Sequence, residues 1–170
     1  MADLGRARRI ADRAGATLEG ADYLESTIIG FVDTALAAQN AVVAAESPGL
    51  GTVFVGALRN HPDLVATELG LAPHAVATFG LAVGIPDPAE HAGIKPRLPQ
   101  AAVLHHERYD ATAADAHIAS YDVRLADYNT RHGLPGQWTD RVLARLAGPH
   151  SLSGRHVLRA QLERLGLPSR

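Results

Sequence analysis

The sequence predicts an α+β chain whose small sheet or core is completed by a second copy of itself. Three observations lead there. About three short runs of β-branched or small residues lie scattered among helical segments, without the regular alternation of a βαβ chain. One long helical segment is apolar nearly all round, which suits the centre of a domain or a subunit interface. A sheet of two or three strands is marginally stable by itself, so the chain is expected to form a homodimer.

The elements follow in order. Asp3 caps a short helix carrying Leu4, Ala7, Ile10, Ala11 and Ala14 on one face, with Gly15 as its stop. A second helix runs from about Tyr23 to Ser47 and ends at Pro48-Gly49; Ile28, Ile29, Phe31, Val32, Leu36, Val42 and Val43 occupy several of its faces. Thr52-Val53-Phe54-Val55-Gly56 reads as a buried strand. Pro62 opens a helix that Asn60 or His61 caps and Gly70 ends. His74 to Gly84 reads as a second strand, Ile85 to Pro99 as coil, and Ala101–Glu107 as a third extended piece. Three helices close the chain. The first runs from about Thr112 to Tyr128, with Ile118, Tyr121, Leu125 and Tyr128 as its apolar stripe. The second runs from an N-cap at Thr139 to Ala147, and the third from about Gly154 to Leu165, with Val157, Leu158, Leu162 and Leu165 inward. Trp138 is either a hydrophobic staple for the second of these or a stacking group in an interface. No repeat divides the sequence, and residues 1–170 read as a single domain.

Composition removes several classes of function. Apolar residues make up 46 %, enough for a real core. A net charge of -2 gives no global attraction to nucleic acid or anionic membrane, so any anion site is local. The absence of cysteine excludes disulfides, thiolate nucleophiles and Cys-ligated metal sites. Asp33, Gln39 and Asn40 interrupt the longest apolar run, and Met1–Gly15 alternates charges instead of carrying a signal-peptide core. A soluble cytoplasmic protein is the expectation.

The chemistry-bearing candidates begin with Ile94-Lys95-Pro96-Arg97-Leu98-Pro99. Each proline fixes its own φ and pushes its predecessor toward extended backbone. Lys95 and Arg97, two apart, then leave from the same side. Two like charges held together this way invite an anion, and a phosphate suits the planar fork of Arg and the point charge of Lys. Gly49, Gly51 and Gly56 with Ala57 bracket the first strand, which is not the order of a dinucleotide fingerprint; they mark either a tight turn or a backbone N–H facing a ligand ring. His105-His106-Glu107 on an extended segment sends its imidazoles to opposite faces, so no metal site is expected. No Gly-x-Ser-x-Gly elbow or Ser-x-x-Lys is present, which removes the covalent-nucleophile hydrolases. Arg59, Arg131 and Arg141 stand singly at helix ends.

The order and spacing of these pieces resemble the nitroreductase superfamily, in its branch of NADPH-dependent FMN oxidoreductases. The carriers are Val32-Asp33-Thr34-Ala35 through Ala38-Gln39-Asn40 and Ala44-Ala45-Glu46-Ser47, then Gly49-Leu50-Gly51 and Phe54-Val55-Gly56-Ala57-Leu58-Arg59-Asn60. Phe79-Gly80-Leu81, Val83-Gly84, Lys95-Pro96-Arg97-Leu98-Pro99 and Leu104-His105-His106-Glu107 complete the set. The resemblance implies a nitroreductase-like small antiparallel sheet between helices and a homodimer with FMN in its interface. It implies hydride transfer from NADPH through FMN to a small-molecule electron acceptor: a nitroaromatic, a quinone or a flavin. It sets Phe54, Val55, Gly56 and Ala57 against the flavin ring, Lys95 and Arg97 on the FMN phosphate and ribityl region, and Arg131 near the NADPH 2′-phosphate. No side-chain acid or base, metal, nucleic acid or membrane enters.

Three departures accompany the resemblance. Relatives begin with helices carrying an Arg-Ser-x-Arg phosphate-binding motif, a Ser-rich loop and a strand. Here Met1-Ala2-Asp3-Leu4-Gly5-Arg6 looks like the tail of that strand and the loop after it, so the chain reads as lacking the N-terminal third. Ala57 stands where relatives often have a second glycine, and no second arginine lies between Arg131 and Trp138. Losing one or two charge-assisted phosphate contacts at about 1.5–3 kcal/mol each weakens binding by roughly tens to thousands of times. A truncated non-catalytic flavin-binding or structural dimer is therefore the alternative reading.

Overall fold

The structure, a computed structural model, describes residues 1–90 and 93–168. It divides into two compact units, Met1–Asp87 with Ser153–Arg170, and Pro88–Leu152. The first unit holds β1 (Ala2–Asp3), α1 (Gly5–Ala14), α2 (Leu24–Glu46), β2 (Gly51–Val55), α3 (Pro62–Glu68), β3 (Ala75–Val76) and β4 (Gly80–Gly84). In the second lie α4 (Ala111–Asp115), α5 (Ile118–Arg131) and α6 (Trp138–Leu146); α7 (Leu158–Arg164) returns to the first.

The α+β class holds, with two antiparallel two-stranded ribbons in place of one sheet. β1 pairs with β3, Ala2 opposite Val76, so the expected strand tail at the start of the chain is present. β2 pairs with β4 from Gly51 opposite Gly84 to Val55 opposite Gly80. The expected strand His74–Gly84 is thus two strands serving different ribbons. His74 takes φ 69°, and the guanidinium of Arg59 donates to the Thr78 carbonyl. That carbonyl is occupied by a side chain, and pairing stops there.

The core of the first unit gathers Ala2, Val76 and Leu167, with Phe31, Leu162 and Leu165 packed around them. Two contacts bring the C-terminal segment in. The Thr27 hydroxyl donates to the Pro168 carbonyl at 2.6 Å, and the His74 N–H donates to the Leu165 carbonyl at 2.8 Å. Asp3 accepts from the N–H groups of Gly5 and Arg6, and Gly15 closes α1 in the left-handed region at φ 64°.

Of the two settings expected for helix α2, a domain centre and a subunit interface, the structure excludes the first. Its bounds match, but Ile28, Ile29, Val32, Leu36 and Val43 stay exposed, so it is not the buried centre of this chain. An 18-residue window of it reaches a mean hydropathy of 1.5, enough by length and composition to cross a bilayer despite Asp33, Gln39 and Asn40. Those two properties alone do not make a span, because the core helix of a soluble protein shares them. α2 lies against β1 and β2.

In the second unit, Tyr121, Leu125 and Tyr128 of α5 form the core with Leu98 and Trp138. Several expectations give way in the rest of the chain. Ala101–Glu107 is not extended: Gln100–Ala102 is a 3-10 turn whose Gln100 carbonyl accepts from the Val103 and Leu104 N–H groups, and Glu107 takes φ 60°. The helix expected over Thr112–Tyr128 is two, because Asp110 caps α4 through the Thr112 and Ala113 N–H groups and α4 ends before His117. Gln137, not Thr139, caps α6, in a capping box with Asp140. Trp138 is the first helical residue, not a staple, and meets the Tyr121 ring edge-on at 5.6 Å. Neither Asn60 nor His61 caps α3 by its side chain; the Asn60 amide oxygen accepts from Arg155 Nε at 2.7 Å.

Candidate functional site

The candidate residues are divided between the two units. In the first unit, β2 runs directly into a 3-10 turn over Gly56–Asn60. Phe54 is 44 % and Val55 38 % exposed, so the strand end expected to be buried stands open to a ligand. Phe54 meets Phe79 edge-on at 5.1 Å, which fixes its ring. The first N–H groups of a 3-10 turn, here those of Gly56 and Ala57, find no acceptor inside it. A Cβ on Gly56 would lie 3.2 Å from the Arg59 guanidinium, so the glycine makes room for that side chain. The glycine thus serves a close turn.

In the second unit, Lys95 and Arg97 sit in the segment 93–99, which has no regular structure and reaches Pro99 in an extended conformation, φ −64° and ψ 155°. Both cations are exposed, and among the described residues neither side chain has a hydrogen bond or ion pair. The backbone between them is held. The Tyr121 hydroxyl donates to the Pro96 carbonyl at 3.2 Å, and Arg124 Nη2 donates to the Arg97 carbonyl at 3.4 Å. A held backbone with two unpartnered cations fits a phosphate group.

Arg131, at the end of α5, is exposed and paired with Asp127 at 2.8 Å, an i,i+4 contact that an incoming anion can displace cheaply. It lies about two turns beyond Arg124, so the two share a face of α5. Arg59 is spent on the Thr78 carbonyl, and Arg141 donates to the Pro135 carbonyl at 3.1 Å. His105 leans on Tyr109, ring centres 4.8 Å apart, and its Nδ1 accepts from the Asp110 N–H. Among the described residues no group of three His, Asp or Glu side chains could hold a metal ion. Tyr121 and Arg124 were not among the sequence candidates. The one available signal was a tyrosine on an apolar stripe, whose hydroxyl needs a partner once buried.

Comparison with known proteins gives the family. The solved structure of NfrA2 from B. megaterium superimposes with a TM-score of 0.87 at 36 % identity, covering 99 % of this chain and 67 % of that one. The nitroreductase family model matches residues 24–85, and the model of the nitroreductase family C-terminal domain matches residues 95–170. The chain belongs to the nitroreductase family. It is 40 % identical over 138 residues to the NADPH-flavin oxidoreductase of Vibrio harveyi, covering 78 % of this chain and 56 % of that protein. To the FMN reductase (NADPH) of Bacillus subtilis it is 38 % identical over 150 residues, covering 84 % and 59 %. It therefore spans less than two thirds of these curated relatives.

Proposed function

We propose that this chain is an FMN-dependent NAD(P)H oxidoreductase. It would move hydride equivalents from NADPH through FMN to nitroaromatics, quinones or flavins, as a cytoplasmic homodimer with residues 1–170 serving as one nitroreductase-like domain. The observation that carries the reading is the Lys95–Arg97 pair, exposed and unpartnered on a backbone held to α5. The names of the relatives support the flavin and the nucleotide.

FMN, when bound, supplies the redox chemistry, accepting a hydride and passing reducing equivalents on. The chain's own part is binding and orientation. Lys95 and Arg97 take the phosphate and the neighbouring ribityl oxygens. Phe54 and Val55 offer apolar surface to the ring, and the N–H groups of Gly56 and Ala57 offer donors to its polar edge, where they favour negative charge. Arg131 leaves Asp127 to meet the NADPH 2′-phosphate. Ile28, Val32 and Leu36 recur every four residues on α2, and this exposed apolar stripe supports a second copy as its cover.

The test is an absorbance spectrum of the full chain mixed with excess FMN and freed of unbound flavin, followed by NADPH oxidation with menadione or a nitrofuran. A retained flavin spectrum and NADPH consumption are expected. A protein that stays colourless overturns the reading, and one that holds flavin without oxidising NADPH is the non-catalytic dimer.

A further inference from the structure

We propose that Tyr121 and Arg124 are positioning residues for the Lys95–Arg97 pair, setting the spacing of the two cations by holding the carbonyls between and beside them. This rests on the reading of that pair as the FMN phosphate site.

The segment is poorly equipped to hold itself. Pro96 and Pro99 contribute no N–H, and among the described residues no strand pairs with residues 93–99. What fixes it is α5. Gly93 lies beside His132 and Tyr128, where a Cβ would meet the His132 ring at 3.0 Å; Pro96 is held by Tyr121, and Arg97 by Arg124. The segment thus runs antiparallel to the helix. Tyr121 and Arg124 are i and i+3 on one face, and the guanidinium of Arg124 sits 5.8 Å from the centre of the Tyr121 ring, so each steadies the other. With the carbonyls turned to the helix, the cationic side chains are left to solvent.

The physical consequence concerns entropy and repulsion. Two like charges on a free loop splay apart, and a phosphate must then gather them at a cost in conformational freedom. A backbone already held removes most of that cost. Arg124 adds a third positive charge beside the pair, which draws the same anion.

The experiment compares FMN with riboflavin, which lacks the phosphate, by fluorescence titration of the full chain. Tyr121→Phe removes one hydroxyl and is expected to weaken FMN about tenfold while leaving riboflavin within twofold. Arg124→Gln, at an exposed site, is expected to weaken FMN about threefold, with Arg124→Lys recovering part of the loss. In a Lys95→Ala, Arg97→Ala background the Tyr121→Phe penalty is expected to vanish. If Tyr121→Phe and Arg124→Gln leave FMN unchanged, or weaken FMN and riboflavin alike, the positioning role is overturned while the cation pair stands. If Lys95→Ala, Arg97→Ala leaves FMN binding intact, or the chain binds neither flavin, the phosphate reading itself fails. Should Tyr121→Phe not fold, the Arg124 pair of variants decides the matter alone.

Discussion

Asp122 of α5 accepts two hydrogen bonds from Thr139 of α6, one from the N–H at 3.0 Å and one from the hydroxyl at 2.7 Å. Only 8 % of Asp122 is exposed, so the carboxylate depends on these donors and on the N-terminal end of α6 for its solvation. Asp122→Ala should lower the stability of the Pro88–Leu152 unit by about 2–3 kcal/mol and Asp122→Asn by roughly half as much, read by urea unfolding.

Gly166 offers a prediction from backbone geometry. Its φ is 82°, and a Cβ would stand 2.5 Å from His74 Nδ1, which itself lies 2.7 Å from the Gly166 carbonyl oxygen. Gly166→Ala combines a left-handed penalty with a clash against a ring that cannot move without losing that contact. A loss of about 2 kcal/mol or more is expected as a lower thermal midpoint.

Leu167 has no exposed surface and packs against Ala2 and Val76. Leu167→Ala should cost about 2–5 kcal/mol, whereas Leu64→Ala, at an exposed position on α3, should cost under about 0.5 kcal/mol. Parallel denaturant curves of the two variants make the comparison.

The proposed site gives a prediction about charge. Lys95→Ala with Arg97→Ala should weaken FMN binding by about a hundredfold or more, and added salt should weaken the unmodified chain far more than the variant. Arg131→Ala should raise the KM for NADPH and leave FMN affinity unchanged. Steady-state kinetics with a nitrofuran separate the two effects.

How far the sequence reached depended on whether a signal was local. The C-terminal end of α2 is readable because Pro48-Gly49 stops a helix wherever it occurs. The proline frame around Lys95 and Arg97 was readable for the same reason. His74–Gly84 was misread because nothing inside Ala77-Thr78-Phe79 announces a break; the break comes from Arg59, nineteen residues earlier in the chain. The gap between α4 and α5 carries no glycine or proline, and Trp138 joined a core that only tertiary packing defines. Tyr121 and Arg124 escaped notice because their partners are carbonyls, which every residue has. Sequence names the cations; only the fold shows what steadies them.

The short link from Val76 to Gly80 joins two ribbons that share no strand. Tension on β4 therefore reaches β3 through three residues, one of them clamped at its carbonyl by Arg59. Opening of either ribbon is expected to disturb its neighbour. Amide protons of Val76 and Leu81 should accordingly exchange with solvent in a single concerted opening.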